Sequence, residues 1–384
     1  MTRALHIHMR GVYYMDGIII PNQKLFKMAT RIIFEKSPPV IMRTLKEKVD
    51  DFFKGKKRTG DYRLHLKATL IIISAIAIYC TLLLVEMPAW IAIPLLIVFG
   101  TIVAFIGFNI MHDAVHGSFS EKKWVNELMG YSLNILGGNK YFWKQKHNVA
   151  HHAFTNIEHH DEDIDIKPFL RVNPEQPKYW FHRFQAYYAI FLYGLSYLLW
   201  IYFQDFKKYF TQKVSVRKID IPLKEHIIFW VSKMVHIGIF IGIPLFFHSL
   251  ERVLIAYGIL VFSCGIVIAI IFQLAHVVEQ TEMIPEPANT GTGFILEENA
   301  LHQLRTTADF APRNTFLSWC VGGLNYQVEH HLFPKISHVH YPDIRKIVID
   351  VCDKLDLPHH EYDSFWQSIA SHFRQLNKLG NAVE

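Results

Sequence analysis

Met111-His112-Asp113-Ala114-Val115-His116-Gly117 ends a long apolar run with two histidines four residues apart. If the helix of that run continues to Gly117, positions i and i+4 share a face. His112 and His116 then aim their imidazoles at one point just outside the hydrocarbon. Two further clusters follow, His147-Asn148-Val149-Ala150-His151-His152 and Gln327-Val328-Glu329-His330-His331. A single pair is common on any helix face. Three groups, two of them ending in His-His, read as the shell of a metal site that the rest of the chain carries to a membrane.

The composition agrees. Of 384 residues, 51% are hydrophobic and 14% aromatic, and the apolar residues are segregated into runs, which decides for a membrane protein over a soluble one. The net charge of +6 needs no nucleic-acid partner. Its basic residues cluster from Lys54 to Arg63 and from Lys207 to Lys218, beside apolar runs, as cytoplasmic flanks do. Cys80, Cys264, Cys320 and Cys352 lie far apart, without Cys-x-x-Cys, so neither a disulfide framework nor a thiolate site is indicated. No short apolar core with a cleavage site opens the chain, so no cleaved signal peptide is expected.

Val40 to Phe53 alternates at helical spacing and reads as a surface helix. Gly17-Ile18-Ile19-Ile20-Pro21 is too short to span. Ala68 to Val85 and Trp90 to Ile110 each approach the roughly 20 residues that cross a bilayer core. Only Glu86-Met87-Pro88-Ala89 separates them, so they form a hairpin, with Trp90 an interfacial anchor. Its turn has no Lys or Arg while both far ends are basic, which puts the amino terminus and His112/His116 in the cytoplasm. Ile227 to Phe247 and Val253 to Ala275 form a second hairpin, in which Lys233 and His236 should face protein or snorkel. Ala186 to Phe203 is apolar too. A shared metal site needs the second and third clusters on one side, so this run should lie in the interface or re-enter.

The expected architecture is an all-α integral membrane protein with four transmembrane helices in two hairpins, both termini cytoplasmic, and a cytoplasmic helical cap carrying the metal site. Residues 1–66 form a cytoplasmic N-terminal segment, 67–276 the membrane region with the first two boxes, and 277–384 the C-terminal cap with the third. Within the cap, Ile284 to Pro287 and Gly291 to Gly293 read as loop, and Tyr341 to Leu355 and Ser364 to Leu376 as amphipathic helices.

Neutral imidazole suits iron, zinc and copper. His112, His116, His147, His151, His152, His330 and His331 are seven candidates, more than the three or four that one zinc takes, so two ions are the economical reading. His276 ends the last apolar run as His112 ends the second; from position alone it is open between ligand and interfacial histidine. His302 lacks such a counterpart, and His159 and His160, amid acidic residues, read as solvated loop. Asp113, Asp161, Asp163, Asp165 and Glu329 are close enough in sequence to take the second N–H of a ligand ring. No Glu-x-x-His occurs, which excludes the carboxylate di-iron bundles. Histidines at membrane-helix ends suit oxidation of an unactivated alkyl chain, which needs activated oxygen and a dry apolar slot.

The series His-x3-His, His-x3-His-His and Gln-x2-His-His resembles the membrane fatty acid desaturase family. The wider phrases His151-His152-Ala153-Phe154-Thr155-Asn156 and Asn325-Tyr326-Gln327-Val328-Glu329-His330-His331-Leu332-Phe333-Pro334 carry the same resemblance, over one catalytic unit of about residues 40–360. It implies two non-haem iron ions, molecular oxygen, an external electron supply and cis double-bond insertion into a lipid- or CoA-linked fatty acyl chain. It also implies a ligand role for His276. Gln327 in place of a histidine is similar to the front-end branch, the delta-6, linoleoyl-type enzymes, and its amide is expected to take part at the site. No His-Pro-Gly-Gly haem motif of a fused cytochrome b5 is present. The electrons are therefore expected from a separate donor, ferredoxin or free cytochrome b5 with its reductase, in a bacterial inner membrane rather than endoplasmic reticulum. A hydroxylase, ketolase or sphingolipid desaturase on the same scaffold is one alternative. A metal transporter is another, although its ligands would sit near the bilayer midplane.

Overall fold

The computed structural model describes residues 39–285 and 297–382, together with four short strands, Tyr13–Met15, Ile18–Ile20, Arg31–Phe34 and Thr292–Ile295. Helix predominates, and among the described residues five helices are long and apolar enough to cross a membrane: Tyr62–Leu84, Ala89–His116, Trp180–Thr211, Leu223–Phe246 and Leu250–His276. The first two and the last two lie where hairpins were expected, each pair joined by a short connection. Asp61 starts the first by accepting the Arg63 N–H, and Ser249 starts the last by accepting that of Arg252. Small residues bring the helices together. A side chain at Gly100 would collide with Ser263, and one at Gly265 with the Gly194 carbonyl. The Ala89–His116 and Trp180–Thr211 helices thus both close on Leu250–His276.

The apolar run at 186–203 is part of a single helix, Trp180–Thr211, roughly 48 Å long at 1.5 Å per residue. At one end, the His182 ring meets the Pro168 carbonyl at 2.7 Å, and Gln185 donates to the Leu376 carbonyl. Near the other, Lys208 pairs with Glu162 at 3.1 Å. Its middle reaches the second hairpin, where Tyr202 and Tyr257 hydroxyls lie 2.8 Å apart. Lys233 does not snorkel. It is buried and bonded to Asp205 at 2.9 Å and to the carbonyls of Gly137 and Ile201.

The helix Val40–Phe52 is amphipathic, and its inner face is fully buried rather than superficial: Leu45 and Val49 pack with Leu304, Val328, Ile344 and Val348. Glu298 caps it from afar, accepting the Ile41 and Met42 N–H groups at 2.9 and 2.6 Å. The expected amphipathic helices of the cap are Tyr341–Leu355 and Phe365–Asn381, the latter opened by a Ser364–Gln367 capping box. Part of the segment read as loop is strand instead: Thr292–Ile295 pairs in parallel with Arg31–Phe34, its backbone groups satisfied by that partner. Residues 286–291 of the same reading lie outside the described residues, as do Gly17 and Pro21 beside the strand Ile18–Ile20.

Candidate metal centre

Two helices supply histidines at their last residues. His112 and His116 close the Ala89–His116 helix, and His276 closes Leu250–His276. Just before His112 the helix widens into an i→i+5 turn, Gly107–Met111, and the second cluster sits in another, Gln145–His151. Such turns recur at functional sites. Here the widening has a geometric use: the His152 N–H bonds to the His147 carbonyl, five residues back. Both members of His151-His152 therefore flank His147, which an ordinary α-helix would not achieve. The third group lies on the short buried helix Gln327–Leu332.

All eight predicted histidines converge. The side-chain nitrogens of His112, His116, His147 and His330 lie within 4.8 Å of one another, and so do those of His151, His276 and His331. His152 joins the two sets, grouped with His330 and His331, its Nε2 3.2 Å from that of His147. His276, open from sequence position, stands with His151 and His331 at ring separations of 4.7 and 4.9 Å.

The outer nitrogens explain the orientation. His151 Nδ1 is 2.9 Å from Asp161, His331 Nδ1 is 2.9 Å from the Gln303 side-chain carbonyl, and His276 Nδ1 is 3.4 Å from the Thr306 carbonyl. Each of these partners only accepts, so Nδ1 carries the proton and Nε2 keeps its lone pair. His330 Nδ1 meets the Tyr341 hydroxyl at 3.1 Å. The inward Nε2 atoms of His112, His116, His151, His276, His330 and His331 are buried and have no hydrogen-bond partner. A bare buried acceptor costs roughly 1–3 kcal/mol. Six aimed at shared points fit cations: one among His112, His116, His147 and His330, one among His151, His276 and His331, with His152 between. Burial pushes His147 down to about 3 and, with help from neighbouring rings, holds His152, His330 and His331 well below the usual histidine range. These rings are neutral, as ligands must be. Burial acts the same way on His151, but the Asp161 carboxylate outweighs it and leaves that ring more basic than usual.

The supporting carboxylates divide. Asp161 is bonded to His151, and Asp163 lies 3.6 Å from His147 and 3.7 Å from His151 while paired with Lys146. Asp113 is 3.9 Å from His112 but is chiefly engaged with Ser337 and His338, fastening the cap to the helix end. Asp165 touches no histidine; the chain has left the site by then, and its half-exposed carboxylate pairs with Lys167 at 3.4 Å. Glu329 is also misplaced by the sequence reading. Its side chain leaves the ring cluster for a buried group with Asp309 and His359. His160 is not solvated either: it is buried with its ring 5.5 Å from that of Phe154, whereas His159 beside it is half exposed. His302 is buried outside the centre, bonded to the Thr155 carbonyl. Gln303, Tyr341 and Thr306 escaped sequence reading. Gln303 is next to the singled-out His302, but only the folded chain shows which of the two faces the rings.

A cavity of about 650 Å³ opens beside the first histidine set. Lys146, Lys167, Lys207, Lys208 and Lys213 line its polar part together with Glu162, Asp163 and Asp165, and His112, His147, Gln327 and His330 a second portion of its wall. Its apolar part runs past Gly107 and Val103, against Leu133, Leu136, Cys264 and Ile268. Val103 precedes His112 by nine residues, roughly 13 Å along the helix. Gln327 faces the site as expected, its amide anchored by donating to the Leu324 carbonyl at 2.7 Å.

The family model for fatty acid desaturases matches residues 88–363. An acyl-lipid (8-3)-desaturase of Physcomitrium patens is 33% identical, covering 98% of this chain and 79% of its own. Two sn-1 linoleoyl-lipid 6-desaturases are similar to it: that of Arthrospira platensis is 34% identical over 82% of this chain and 85% of its own, and that of Synechocystis 32% over 88% and 95%. With eight converging histidines beside an apolar cavity, and with these relatives, the chain belongs to the fatty acid desaturase family of oxidoreductases.

Proposed function

We propose that this enzyme inserts a cis double bond into a fatty acyl chain lying in the cavity, as a front-end desaturase of the linoleoyl, delta-6-like type. The observation that carries the reading is the cavity itself: one lining brings together charged side chains, the histidines His112, His147 and His330, and apolar residues. The carboxyl-derived end of the substrate takes the charged part and the methyl end the apolar part. His112, His116, His147, His151, His152, His276, His330 and His331 hold two iron ions, which supply oxygen activation when bound. Asp161, Gln303, Tyr341 and the Thr306 carbonyl orient the rings, and Val103, Leu136 and Ile268 keep water from the reacting carbons. Gln327 lies between the chain and the first histidine set and positions both. The 6-desaturase names of two relatives and the glutamine of the third box support the front-end assignment.

We assign four crossings, with Trp180–Thr211 in the interface or re-entering, because a fifth crossing would put the third histidine cluster on the opposite side from the first two. The basic helix flanks support a centre on the cytoplasmic face, and we assign the enzyme to a bacterial inner membrane. Electrons come from a separate ferredoxin, or from free cytochrome b5 and its reductase. The test is expression in a host fed defined fatty acids, with the lipids analysed by mass spectrometry. A loss of two mass units with the new bond on the carboxyl side of an existing one is expected. A gain of sixteen would make the enzyme a hydroxylase and overturn the reading.

A further inference from the structure

Three consecutive backbone carbonyls, those of Ile135, Leu136 and Gly137, are each held by a buried polar side chain from a different place in the apolar helices. The His236 ring lies 3.1 Å from the Ile135 carbonyl, Tyr197 donates to Leu136, and Lys233 donates to Gly137 at 2.6 Å. Two of the holders are themselves secured. His236 Nε2 meets the Tyr257 hydroxyl at 2.8 Å, and Lys233 is paired with Asp205. Gly137 has a φ of +97° and sits so close to the His236 ring that an added Cβ would lie 2.9 Å from it. Ionisable groups are expensive inside apolar helices and persist there when they perform a task. All three of these meet on one turn, and Leu133 and Leu136 beside that turn form a wall of the cavity beyond His112.

We propose that His236, Tyr197 and Lys233 are positioning residues that clamp this turn and thereby set which acyl chains the enzyme accepts. His236 and Lys233 lie outside the cavity lining, and Tyr197, whose ring lines the cavity, turns its hydroxyl to the Leu136 carbonyl. By fixing three successive carbonyls they prevent the Leu133–Leu136 wall from yielding, so a chain with one methylene too many, or a bend in the wrong place, is excluded. An apolar wall discriminates by a methylene only as far as it is rigid. The inference rests on the cavity being the acyl slot.

The test is a competition between sixteen- and eighteen-carbon acyl chains supplied together, with iron content measured on each purified variant. His236→Gln weakens one clamp from outside the cavity and is the deciding variant; Tyr197→Phe, whose ring lines the cavity, removes a second. An iron-loaded variant should change the ratio of the two products about tenfold, the low end of what one methylene commands in an apolar pocket. An unchanged ratio in an iron-loaded variant overturns the proposal, whether total turnover stays the same or falls equally for both chains. Failure of both variants to load iron also overturns it, since the clamp would then serve folding and not selection. If the parent enzyme makes no unsaturated product, the cavity reading fails instead, and the two failures are thereby separated.

Discussion

Replacing Asp161 by Asn isolates the contribution of one carboxylate to the centre. Asp161 is buried, one oxygen accepting from His151 Nδ1 at 2.9 Å and the Asn156 N–H at 3.0 Å, the other from the Asp163 N–H at 2.9 Å. Asparagine keeps the shape but offers one acceptor oxygen for three donors. In its better orientation the amide NH2 faces the Asp163 N–H, and the bond to His151 loses its charge. Losing a charge-assisted hydrogen bond costs about 1.5–3 kcal/mol, roughly 10- to 150-fold in a binding constant. That range overlaps the 10–100-fold by which partners of ligand histidines affect metal affinity. The assay is iron per protein after dialysis against graded chelator, run beside turnover of a fed fatty acid. Asp165→Asn is the control, because its carboxylate meets Lys167 and no histidine; its iron content should match the parent. If Asp161→Asn bound iron and turned over within twofold of the parent, the assignment of Asp161 as the partner that fixes His151 would be wrong.

Alanine at His147 or His331 should abolish product while the protein still inserts; near-normal turnover in either would contradict the eight-histidine centre. His159→Gly should be silent, since that residue is half exposed at a φ of 66° that suits glycine, whereas His160→Ala, which empties a packed site, should cost about 2–4 kcal/mol in thermal unfolding. With the exposed Cys80 first replaced by serine, cysteines at Lys122 and Arg217 should label from one face and a cysteine at Glu86 from the other; labelling of Lys122 and Arg217 from opposite faces would refute four crossings. Gln327→Ala should lose most activity and Gln327→His retain part of it, measured as product per iron; an Ala variant as active as the parent would remove Gln327 from the mechanism.

The hairpins, the family and all eight histidines were legible in the chain because each depends on local pattern. Runs of apolar residues near 20 long, a four-residue spacing and three boxes in order survive without any tertiary information. The depth of His276 on its helix left its role open, and only the family resemblance made it a ligand. What surrounds the rings was not. Asp161, Asp165 and Glu329 were all read as partners of a ring, yet one holds a ring, one pairs with Lys167 and one turns away, because the direction of a side chain depends on where the backbone bends next. Gln303 and Tyr341 reach the centre across 28 and 11 residues from their partners, and Asp113 meets His338 across 225. Distances of that kind are closed by packing of the cap on the helix ends, which no period in the sequence encodes. The clamp on residues 135–137 belongs to the same class. Lys233 and His236 stood out as charges out of place in an apolar helix, but that they and Tyr197 hold three successive carbonyls of one turn was decided only when two distant helices folded against it.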